Sequence, residues 1–116
     1  MNNMIRLILP LPPSTNRIWR GAGQKVYKSA DYNKFLEDVG WTCKEAQINK
    51  MAGCLSAEVT FFFKTKAGDA DNRLKALFDS LQGYAYENDS QVTRCCYERK
   101  TDPKNPRVEI RLISIV

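Results

Sequence analysis

The sequence predicts a small mixed α/β, or α+β, domain with about four strands in one sheet and two helices. Three observations carry this. Leu55, Ala57, Val59, Phe61 and Phe63 alternate with Ser56, Glu58 and Thr60, a period of two that marks a strand with one buried face. Tyr32, Phe35, Leu36, Val39, Cys43 and Ala46 recur at helical spacing. Leu74, Leu77, Phe78 and Leu81 form a second helical stripe. The 116 residues are one domain's length, so 1–116 reads as a single domain.

A first strand covers 4–9 and stops at Pro10, and 12–17 is turn chemistry. Residues 17–29, with Gly21 and Gly23, read as a surface loop or loose hairpin. The first helix follows, capped by Ser29 or Asp31 and ending near 49–53. After the 55–63 strand comes a basic turn at 64–68. A second helix then runs over 71–82 and stops at Gly83. A third strand covers 91–99, and 102–106 is a turn. The last strand sets Val108, Ile110, Leu112 and Ile115 against Arg107, Glu109 and Arg111.

No stretch approaches the roughly 20 apolar residues of a membrane span. The 5–9 run, followed at once by prolines, is too short for a signal peptide, so a cytoplasmic location is the default expectation. The net charge of +5 suits a partner rich in phosphate, or simply a basic protein. The chain has no histidine, which excludes histidine triads, histidine metal sites and histidine general bases. None of the four cysteines has Cys-x-x-Cys spacing, and reduced thiols are expected. Adjacent Cys95 and Cys96 point to opposite faces of their strand and read as small packing residues.

The chemically informative segment is 68–75. Asp69 and Asp71 stand two apart where a turn enters a helix, and in extended backbone such residues project to one side. Both carboxylates can then converge on a hard cation such as magnesium. The helix start favours anions and offers N–H groups to phosphate. Lys75, one turn after Asp71, can neutralise charge on a phosphate. The plainer reading makes Asp71 a cap, Asp69 a turn residue and Lys75 a surface partner of Asp71. Asp89 shifts the balance. If its strand pairs beside the 55–63 strand, Asp89 is expected beside Asp69, and three close acids call for a cation.

Cations surround these acids: Arg17, Arg20 and Lys28 in the early loop, Lys64 and Lys66 before Asp69, and Arg94, Arg99 and Lys100 in the third strand. Trp19, Tyr27, Tyr84 and Tyr86 interleave with them, a pattern suited to phosphate tracking with stacking on unpaired bases. With Asn72 beside the acids, Arg17, Arg20, Lys28, Lys64, Lys66, Arg99 and Lys100 are the candidate DNA-binding residues.

The segment from Asp69-Ala70-Asp71-Asn72-Arg73-Leu74-Lys75 to Leu81, followed by Asn88-Asp89-Ser90-Gln91-Val92, resembles the RusA family of Holliday junction resolvases. The opening Pro12-Pro13-Ser14-Thr15-Asn16 and the ending Pro106-Arg107-Val108-Glu109-Ile110 resemble that family too. The resemblance implies a homodimeric, magnesium-dependent endonuclease, with manganese as a substitute metal, that nicks four-way junction DNA symmetrically. It implies that Asp69, Asp71 and Asp89 hold metal and that Lys75 is the essential lysine. Many members carry two adjacent acids before Gln-Val. Here Asn88 precedes Asp89, which leaves Glu87 as the nearby acid. On the sequence alone two other readings stay open: a non-catalytic nucleic-acid-binding regulator, and a nuclease acting on branched DNA more broadly.

Overall fold

The computed structural model describes residues 4–14, 19–22, 25–28 and 30–115. The chain runs β1 (Met4–Leu9), β2 (Trp19–Ala22), β3 (Lys25–Lys28), α1 (Ala30–Glu45), β4 (Leu55–Phe63), α2 (Asp71–Leu81), a 3-10 turn (Asp89–Gln91), β5 (Val92–Thr101) and β6 (Arg107–Ser114). One four-stranded sheet has the order β1-β6-β4-β5, and β2 and β3 form a separate hairpin. β6 is antiparallel to both β1 and β4, whereas β5 is parallel to β4. The α+β architecture expected from the sequence is the one observed. The early loop resolves into the antiparallel β2–β3 hairpin.

Alternation builds the core. Leu7 and Leu9 of β1, Val59 and Phe61 of β4, and Ile110 and Leu112 of β6 are buried on one face. Tyr32, Phe35, Val39 and Cys43 of α1 pack onto that face with Ala76, Leu77 and Leu81 of α2. Each large side chain so enclosed contributes about 1.5–3 kcal/mol. The opposite face is polar, and Glu58 accepts from Arg111 directly across the β4–β6 pair. Among the described residues no helix is long and apolar enough to cross a membrane.

Three local expectations are corrected. α1 stops at Glu45 rather than near residue 49, because Gln47 takes a left-handed backbone (φ 53°) that ends the helix. Cys95 and Cys96 are exposed rather than packed, since β5 is an edge strand that the helices leave open. β5 does neighbour β4, but parallel. A β4-α2-β5 crossover returns the chain to the end where β4 begins, so Val92 pairs with Leu55 and Thr101 with Phe63. The two strands therefore start together, and the segment entering β5 lies far from the segment leaving β4.

Candidate metal and phosphate site

The turn between β4 and α2 presents Asp69 and Asp71 at the carboxyl end of the sheet. It is held from below by Arg99 of β5. That guanidinium donates to the carbonyls of Lys66 (2.7 Å), Ala67 (3.3 Å) and Gly68. It also lies over the Phe63 ring, 4.8 Å from the centroid. Gly68 has φ +122°, and a Cβ there would stand 3.2 Å from that ring, so the turn requires glycine.

Asp69 and Asp71 are exposed, and the fold brings them together. Asp69 is pushed above the ordinary carboxylate range, chiefly by a hydrogen bond shared with Asp71, then by partial desolvation and the Asp71 charge. Asn72 Nδ2 donates to Asp69 Oδ2 at 2.9 Å, so Asn72 orients an acid. Asp71 does not act as a helix cap: Ala70 occupies that position without a side-chain cap bond, and the Asp69 carboxylate accepts from the Asp71 backbone N–H. Lys75 is one turn along on the exposed side of α2 and pairs with Asp79 at 3.4 Å rather than with Asp71. Arg73 donates to the Pro12 carbonyl at 2.6 Å, which fastens the proline-rich segment after β1 beside the start of α2.

Asp89 lies elsewhere. Its N–H donates to Gln82 Oε1 (3.0 Å) at the far end of α2, about 16 Å along the helix axis from Asp71. Asn88 caps the 3-10 turn by accepting from Ser90 N–H at 2.9 Å. Gln91 completes the box: its Oε1 accepts from Glu87 and Asn88, and its Nε2 donates to the carbonyls of Met51 and Gly53. Asp89 therefore sits firmly at the amino end of β5. The expectation that Asp89 arrives beside Asp69 once its strand neighbours the 55–63 strand is corrected: the strands are neighbours, but their parallel pairing puts Asp89 at the other end. Glu87 is tied to Lys50 at 2.9 Å. Among the described residues no three metal-ligating side chains gather in one place.

The candidate DNA-binding residues divide. Lys64 and Lys66 are exposed on the turn before Asp69. Lys100 is exposed near Glu98 (4.0 Å). The donors of Arg99 are committed to the turn. Arg20 and Lys28 belong to the β2–β3 hairpin, and Arg17 lies outside the described residues. Sequence reasoning missed Arg73, Gln82 and Gln91. Only the last carried a signal, the Asn-x-x-Gln spacing of a capping box.

Two carboxylates with oxygen donors only, at the start of a helix, suit a hard divalent cation that shares a phosphate oxygen. Residues 10–113 match the family described as Endodeoxyribonuclease RusA. The chain is 32% identical over 96 residues to a protein of Enterobacteria phage HK97 named crossover junction endodeoxyribonuclease rusA, a span covering 77% of each.

Proposed function

The chain belongs to the RusA family of endodeoxyribonucleases, which are Holliday junction resolvases, and on that footing we propose that it nicks four-way junction DNA in a magnesium-dependent reaction. The observation that carries the site assignment is the pairing of Asp69 with Asp71 at the start of α2. These two acids would hold one or two magnesium ions, or manganese in their place. When bound, the metal supplies Lewis-acid activation of water and of the scissile phosphate.

The chain's own residues do the rest. Arg99 and Gly68 fix the turn, so both carboxylates meet the phosphodiester at a set position. Asn72 keeps one Asp69 oxygen engaged and so fixes that carboxylate. The Lys75 ammonium exchanges Asp79 for the phosphate and neutralises charge on its oxygens. Lys64, Lys66 and Lys100, with Arg17, Arg20 and Lys28, track the backbone of the arms. The acting species is a homodimer, whose two-fold axis matches that of the junction.

Titrating magnesium against an end-labelled junction tests this. Wild type is expected to yield nicked product that rises with magnesium and vanishes with chelator. Asp71→Asn is expected to shift the junction without cutting it. A shifted band with no product at any magnesium or manganese concentration would favour a binding protein instead. Equal cutting of flaps, forks and junctions would replace junction resolution with broader branched-DNA cleavage.

A further inference from the structure

Lys75 lies midway between two acids on one face of α2. Asp71 comes four residues before it and Asp79 four residues after, so the ammonium has either carboxylate within one helical turn. In an isolated helix the favoured order puts the acid before the lysine, which is Asp71 with Lys75. The structure makes the other choice: Lys75 Nζ stands 3.4 Å from Asp79 Oδ2.

Two features account for it. Asp79 is the more enclosed partner, with a side chain 35% exposed against 72% for Lys75, and charges partly withdrawn from water are screened less. The Asp79 charge also reaches the core. The Tyr32 phenol of α1 is raised by burial and then by Asp79, and the Tyr86 phenol is raised by burial, then Asp89, then Asp79. Asp71 is exposed instead, and it shares a hydrogen bond with Asp69.

We propose that Asp79 is a positioning residue: it draws the Lys75 ammonium away from Asp69 and Asp71, so that both carboxylates stay open to a divalent cation. The inference rests on the proposed function, in which these two acids take the metal and Lys75 meets the phosphate. An ammonium seated on Asp71 occupies an oxygen that the cation needs, and its charge repels the incoming cation. Held by Asp79, Lys75 waits one turn from the acids. A phosphate oxygen, carrying its own negative charge, can then take the ammonium over. The pair is open enough to release it, since ion pairs of this exposure shift an equilibrium by only about twofold to fivefold.

Manganese binding to the full chain, followed by loss of the free ion's paramagnetic resonance signal, tests this without DNA and without turnover. Asp79→Asn is expected to weaken manganese binding about twofold to fivefold. Asp79→Glu keeps a carboxylate four residues from Lys75 and is expected to bind as wild type does. In a Lys75→Met background, Asp79→Asn is expected to change nothing, because no ammonium is left to hold. Asp79→Ser makes the same comparison if Asp79→Asn does not fold.

Equal weakening by Asp79→Asn with and without Lys75 would mean that Asp79 acts on the metal through its own charge, and overturns the proposal. Wild-type affinity in Asp79→Asn overturns it too. Manganese binding that depends on Asp71 but not on Asp79 overturns this inference alone. Binding that Asp71→Asn leaves untouched overturns the assignment of the acids, and this inference with it.

Discussion

Arg99 of β5 donates to the carbonyl of Gly68, one residue before Asp69, and so ties the edge strand to the turn that presents the acids. Arg99→Ala is expected to leave the fold intact and reduce nicking about tenfold to hundredfold, because small misplacements of reacting groups cost that much. Arg99→Lys is expected to restore little, since an ammonium lacks the planar fork that reaches several carbonyls at once. Single-turnover nicking under saturating junction separates this from weakened DNA binding.

Gly68→Ala is expected to destabilise the chain by about 1–3 kcal/mol, the usual cost of holding a side chain in forbidden backbone space. The Phe63 ring blocks the added methyl, so relaxation has to move the turn. Chemical denaturation reports the stability change. Loss of nicking beyond the unfolded fraction reports displacement of Asp69.

At the opposite end of α2, Gln91→Ala removes the side chain that pins the turn of Asp89 to the carbonyls of Met51 and Gly53. It leaves the N–H groups of Glu87 and Asn88 without their acceptor. A loss of about 1–3 kcal/mol in stability is expected. A lower thermal midpoint and an earlier denaturant transition report it, and an unchanged midpoint would contradict the bracing role of Gln91.

Acid stability rests partly on Asp102. The Arg107 guanidinium bonds its carboxylate at 2.9 Å and holds it below the ordinary value of 3.8. A carboxyl lowered on folding stabilises the native state above its unfolded pKa, and that contribution is lost as pH falls through the folded value. Asp102→Asn is therefore expected to lower the thermal midpoint near neutral pH, with the difference from wild type shrinking below about pH 4. A constant difference across that range would contradict the pairing.

Most of the sheet and both helices were legible because burial imposes periodicity. Val59 and Phe61 alternate with polar neighbours, and Leu74, Leu77 and Leu81 repeat at helical spacing. The identities of the paired acids were legible too, since two residues on one turn meet whatever the tertiary fold. The place of Asp89 was not. Adjacency of β4 and β5 follows from sequence more readily than direction, and direction decides which end of the sheet Asp89 occupies. Nor could the openness of β5 be read from Cys95, Cys96 and Tyr97, whose composition suits a buried strand equally well. Arg73 and Arg99 gave no signal because their partners are backbone carbonyls distant in sequence.

The most direct measurement labels each of the four strands of a junction in turn and maps cuts in magnesium. The expected result is a nick at matching positions on one opposed pair of strands, absent in Asp69→Asn and Asp71→Asn, which still bind. Cleavage that persists in those variants, or an intact junction in the presence of bound wild type and metal, would contradict a centre built on the two acids at the start of α2.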